Sequence, residues 1–160
     1  MGSFLLSDYV IAKWIHILSS TILFGTGIGS AYYMFVASRS RDPRIVHFVV
    51  SRVVVADWIF TATAVVVQPI TGLYLVHIAG YAILSRWIVA SVLLFLLAGA
   101  CWLPVVWMQV RMRDMAKAAV EAGAELPPRY WRYHRIWLAL GMPAFTALLI
   151  VFYLMVAKPN

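Results

Sequence analysis

The chain is poor in charge. Asp, Glu, Lys and Arg make up 12% of its 160 residues, about half the share of a soluble domain, which excludes an ordinary water-facing surface. Acidic residues are scarcest, six against thirteen Lys and Arg. The single cysteine, Cys101, excludes an intrachain disulfide. Without a Cys-x-x-Cys pair there is no framework for a thiolate zinc site or an iron–sulfur cluster. A phosphate-cradling glycine loop, a nucleophile–base set and paired carboxylates are missing too, so neither an ATP-driven pump nor a hydrolase finds support. The first twelve residues lack the basic segment of a cleaved signal peptide, and the apolar stretch that follows is too long for one.

Apolar residues, by contrast, make up 64%. Four runs, over about residues 9–37, 48–78, 86–110 and 130–157, reach the roughly 20 mostly apolar residues that cross a bilayer. Lipid offers no partner to an unpaired backbone amide, so such runs must be helices, and the alternation of a membrane barrel is absent. The expected fold is all-α: one domain, 1–160, a four-helix transmembrane bundle. Ten basic residues (Arg39, Arg41, Arg44, Arg52, Arg111, Arg113, Lys117, Arg129, Arg132, Arg135) fall on one side and three (Lys13, Arg86, Lys158) on the other. Basic loops stay in the cytoplasm, so both termini are expected outside, in a multi-pass protein of a bacterial inner membrane. The basic excess thus reads as topology, and the partner as the lipid bilayer, with no nucleic acid. The third helix is expected to continue past the membrane from Arg111, and Pro127-Pro128 to end that excursion. Lys13-Trp14-Ile15 and Arg86-Trp87-Ile88 open the odd spans alike, a likeness that an ancient duplication or, more simply, ordinary membrane-helix grammar explains.

Polar groups inside a span are costly and are default functional candidates. Tyr9, Lys13, His16, Ser20 and Gly27 share one face of the first span, which should point into the bundle. Gly25 and Gly29 form a Gly-x-x-x-Gly pair that allows close approach of another helix, in this chain, a homo-oligomer or a larger membrane complex. In the second span Asp57, Thr61, Ala64, Gln68 and Thr71 fall on one side, with Pro69 and Gly72 expected to interrupt the helix toward its outer half. His77 ends that span on the same side of the membrane as His16, but an ideal helix turns it away from the stripe. His47 and His134 lie at the opposite ends of their spans. The third and fourth spans read as supporting walls, and chemistry is expected in the outer half of the bundle.

An imidazole aimed into a membrane bundle suits haem, with neutral His16 as axial ligand and His77 as a weaker second. Lys13, Arg86 and Lys158 are the basic groups near enough to the outer surface to meet propionates. The plainer alternative is that His16 only hydrogen-bonds between helices. Methionines and histidine would suit copper, but no closely spaced methionine pair lies within the bilayer near a histidine. Asp57, Thr61 and Gln68 form a polar path that suits proton or ion movement.

Lys13-Trp14-Ile15-His16-Ile17-Leu18-Ser19-Ser20 with Phe24-Gly25-Thr26-Gly27 resembles the opening of a bacterial family of predicted four-helix integral membrane proteins of unknown function. Gln68-Pro69-Ile70-Thr71-Gly72-Leu73, Trp102-Leu103-Pro104-Val105-Val106-Trp107 and Tyr153-Leu154-Met155-Val156-Ala157-Lys158-Pro159 resemble it as well. More distantly, the opening is similar to HemJ-type protoporphyrinogen oxidases and to CopD-type copper-resistance membrane domains. That likeness implies haem b on His16 with Lys13 beside the propionates or substrate. The HemJ pattern of Trp and Arg soon after the histidine is replaced here by Gly25 to Gly29, and Arg86 substitutes loosely for its third-helix lysine. These readings give a haem-b-binding membrane protein in redox or haem metabolism. The alternatives are a non-enzymatic accessory or assembly subunit, and copper or proton transport.

Overall fold

The computed structural model describes residues 2–159, with side chains from Ser7 onward, and these residues contain helices and no strand. The helices are α1 (Gly2–Ser40), α2 (Pro43–Ala56), α3 (Ala62–Ile78), α4 (Arg86–Glu121) and α5 (Pro128–Ala157). A π-helical turn, Asp57–Thr61, joins α2 to α3 into one continuous second span. Four stretches are long and apolar enough to cross a membrane: Ser7–Ser40, Pro43–Ile78, Arg86–Glu121 and Pro128–Ala157. The expected all-α, four-span architecture is therefore what the chain adopts.

Local chemistry sets the turns. Arg41 follows α1 at a left-handed φ of 57°, a conformation that stops a helix and costs an L-residue roughly 1–2 kcal/mol. Asp42 then caps α2: its Oδ1 accepts from the Arg44 amide at 2.8 Å, and Pro43 takes the first helical position, where no N–H is missed. The excursion of the third helix ends at Glu121, six residues before the prolines, with Gly123 left-handed at φ 61°. Pro127 and Pro128 do not stop that helix; they start the next one. Pro69 likewise does not interrupt the second span, which is helical through Ile78, and the irregular turn falls earlier, at Asp57.

The spans run up and down in sequence order. α4 and α5 pack along each other, and α2 lies between α1 and α4. Beyond the π turn the second span changes company: α3 packs on α1 and scarcely touches α4. The ring closes lightly between α1 and α5, where Phe24 stacks on Phe145 (4.9 Å between centroids) and meets Phe152 edge-on (5.4 Å).

The best-packed core sits at the end that carries the basic loops. It gathers Met34 of α1, Val46 and Val50 of α2, Met112 and Ala116 of α4 and Tyr130 of α5, each completely buried. Exposed Arg44, Arg52, Arg111, Lys117, Arg129 and Arg132 flank these residues in sequence, and such charges belong in headgroups or water. This end of the bundle therefore stands where water drives apolar groups together. Within hydrocarbon that drive vanishes, so packing there rests on van der Waals contact and hydrogen bonds.

Candidate functional site

α1 and α3 meet through a short polar ladder. Ser19 Oγ, buried, donates to the Ala64 carbonyl at 3.4 Å. One turn toward the chain termini, the Gln68 amide Nε2 donates to the His16 carbonyl at 2.8 Å. At the next rung, His16 Nδ1 and Thr71 Oγ1 are 2.8 Å apart. The stripe of Asp57, Thr61, Ala64, Gln68 and Thr71 does turn inward: the first three are buried and the last two half-buried.

The direction of the His16–Thr71 bond follows from counting protons. A hydroxyl has one. Thr71 Oγ1 lies 2.7 Å from the Val67 carbonyl and 3.3 Å from that of Gln68, both of which can only accept. With its proton committed there, Thr71 accepts from His16, so His16 carries hydrogen on Nδ1. Nε2 is then the lone-pair nitrogen, and it has no hydrogen-bond partner among the described residues. Gly72 makes the ring's position feasible: a Cβ at that residue would lie 3.3 Å from His16 Cε1. An imidazole held by Nδ1–H, with Nε2 open, is the arrangement metal-ligating histidines adopt.

Beside this ladder, α1, the π turn and α3 enclose an apolar cleft of about 220 Å³, lined by Ile15, Leu18, Ile22, Phe60 and Val67 among others. The remaining candidates at this end of the bundle do not converge on His16. His77 is exposed on the last turn of α3, and Arg86 is exposed at the first residue of α4. Lys13 is exposed one turn before His16, its Nζ 5.7 Å from the Tyr9 ring centroid. Lys158 is drawn away to Tyr81, whose hydroxyl accepts from its Nζ at 2.7 Å. Among the described residues, no three His, Cys, Asp or Glu side chains stand together as a metal site.

Gly25 and Gly29 do not serve helix packing within the chain: a Cβ at either would meet nothing within 4 Å. The close approach the sequence suggested on α1 occurs instead opposite Gly72.

The third and fourth spans are more than walls. α4 contributes Gln109, 2% exposed, which lies beside the Asp57 carboxyl. α5 contributes Tyr130, 2.7 Å from Ser38 Oγ. Ser38 donates its own proton to the Met34 carbonyl at 2.8 Å, so Tyr130 is the donor. His134 is buried against Phe35, Tyr130, Trp131 and Trp137, ring centroids 5.8–6.4 Å away. Its Nε2 and the Trp137 Nε1 have no partner among the described residues. Gln109 was not among the expected site residues, although a lone amide in an apolar run is a signal that could have marked it. The Ser38–Tyr130 bond joins residues 92 apart, which no local pattern announces.

Four long apolar helices joined by polar rungs define a multi-pass integral membrane protein. A family model described as predicted integral membrane protein (DUF2269) matches residues 10–159, and the chain belongs to that family. No curated protein matches the chain. No solved structure does either.

Proposed function

We propose that this protein binds haem b through Nε2 of His16 and serves redox or haem metabolism in the bacterial inner membrane. The observation that carries the reading is the open Nε2 of an imidazole whose other nitrogen is anchored by Thr71. A histidine that only joined two helices would make the same bond to Thr71; haem binding adds an occupant for the free Nε2. Bound haem iron would supply one-electron chemistry. The chain's own part is to fix the imidazole, through Thr71 and Gln68, and to keep water from it with the surrounding spans. Lys13 and Arg86, both exposed toward the end where the chain terminates, would meet the propionates. His77 would be the second ligand only after turning in from its exposed place on α3. The arrangement supports His16 alone as the residue that would hold the haem.

Haemin titrated into purified apo-protein in detergent tests this. Saturable binding with a Soret shift is expected, and His16→Ala should abolish it while leaving the elution profile unchanged. Equal binding by the variant would remove the assignment.

One observation favours a second reading, a non-enzymatic accessory or assembly subunit. The α1 face carrying Gly25 and Gly29 has open space before it, with Tyr32 and Tyr33 exposed further along the helix. On this reading a second copy or a larger complex covers that face, and His16→Ala is tolerated. A complex isolated intact with Gly25→Leu, or lost function with His16→Ala in an intact complex, would count against it.

A further inference from the structure

A second buried polar centre lies at the π turn, apart from the His16 ladder. Asp57 opens the turn and is 4% exposed. Thr61, also buried, donates its hydroxyl to Asp57 Oδ1 at 2.9 Å. The i→i+5 turn keeps both side chains on the buried face while Trp58, Ile59 and Phe60 face outward. Such turns inside α-helices are frequent at functional sites. From the neighbouring span the buried Gln109 lies beside the same carboxyl, and its Oε1 has no hydrogen-bond partner among the described residues.

No positive group answers this carboxyl. Among the described residues no Lys, Arg or His nitrogen forms an ion pair with it. The elements around it explain why. α1 has no Asp, Glu, Lys or Arg between Lys13 and Arg39, and its His16 is engaged by Thr71. α2 brings His47, ten residues earlier, and Arg52, whose guanidinium lies 5.4 Å from the Phe48 ring centroid. α3 brings only His77, exposed at its far end. α4 has no charged residue between Arg86 and Arg111, and Arg111 is turned onto Trp107 at 5.5 Å.

A lone charge is not sustained in such surroundings. Among the described residues one hydrogen bond, from Thr61, reaches the carboxyl, and the buried Gln109 Oε1 receives none, so acceptor oxygens remain for one positive charge. Every available ligand is oxygen, which suits a proton or a hard alkali cation rather than a soft metal. We propose that Asp57, Thr61 and Gln109 form a binding site for one small monovalent cation, a proton or Na⁺, buried between the second and third spans. The site shares no residue with the His16 ladder and stands whether or not haem binds there.

Infrared difference spectroscopy of the purified full chain in lipid nanodiscs tests this, comparing wild type with Asp57→Asn. If the cation is a proton, wild type shows the carbonyl stretch of a protonated carboxylic acid in sodium-free buffer. That band shifts in D₂O, is lost in Asp57→Asn and ignores NaCl. If the cation is Na⁺, NaCl but not choline chloride changes the wild-type carboxylate bands saturably, and the change is lost in Asp57→Asn. Gln109→Leu, which keeps the Asp57 carboxyl, should shift the band or the sodium dependence, and it serves if Asp57→Asn does not fold. An ionised carboxylate that responds to neither sodium nor pH, with spectra unaltered by Gln109→Leu, would overturn the proposal.

Discussion

His16 Nδ1 and Thr71 Oγ1 stand 2.8 Å apart across the α1–α3 interface, and the threonine proton is already given to the Val67 carbonyl. This pair fixes which imidazole nitrogen is free, so the consequences for binding start from it.

Thr71→Val keeps the side-chain shape and removes the acceptor of the His16 proton. Loss of such an outer partner typically weakens a ligated group by about 10–100-fold. Haemin titration should show a drop of that order, while Thr71→Ser retains most of the affinity. Unchanged binding by Thr71→Val would show that the tautomer is set by something else.

Gly72→Ala places a methyl 3.3 Å from His16 Cε1. The ring cannot retreat freely, because Thr71 holds Nδ1 and the Gln68 amide holds the His16 carbonyl. A cost of about 1–3 kcal/mol is expected for such overpacking, read as a lower thermal midpoint in detergent. Gly25→Ala, with open space before its Cβ, should leave the midpoint of the monomer nearly unchanged.

Tyr130→Phe removes the donor to Ser38 without changing ring packing. A loss of about 1 kcal/mol is expected. Combining it with Ser38→Ala should cost less than the sum of the single changes, because both remove the same bond. Full additivity would show that the two side chains do not interact.

Asp42→Ala removes the cap on α2. Caps of this type contribute about 0.5–2 kcal/mol. The change should raise hydrogen exchange over the first turn of α2, after Pro43, and leave α3 protected as before. A uniform rise across both would mean that the cap supports the whole span.

Much of the fold was legible because lipid imposes one answer on long apolar runs. The inward stripe from Asp57 to Thr71 was legible because it repeats with the helix period. Turns were harder to read. Pro69 was expected to break the second span, yet the helix runs through it, and the break is a π turn at Asp57 that no residue type signals. Gly25 and Gly29 carry a familiar packing pattern but face open space, while the useful glycine is Gly72. Spacing alone cannot say which helix a glycine will meet. Gln109 and Tyr130 join the buried polar groups through contacts between spans, which a single helix's periodicity does not contain. The expectation that chemistry would concentrate in the half of the bundle holding His16 overlooks the polar groups buried nearer the basic loops.

The central claim is that His16 presents an open Nε2 to haem. The visible absorption spectrum of the protein purified from haem-replete membranes tests it most directly, with wild type and His16→Ala side by side. The account predicts a Soret band in the wild type that is lost or strongly weakened in His16→Ala at equal protein recovery. A colourless wild type, or a band of equal strength in both, would contradict it.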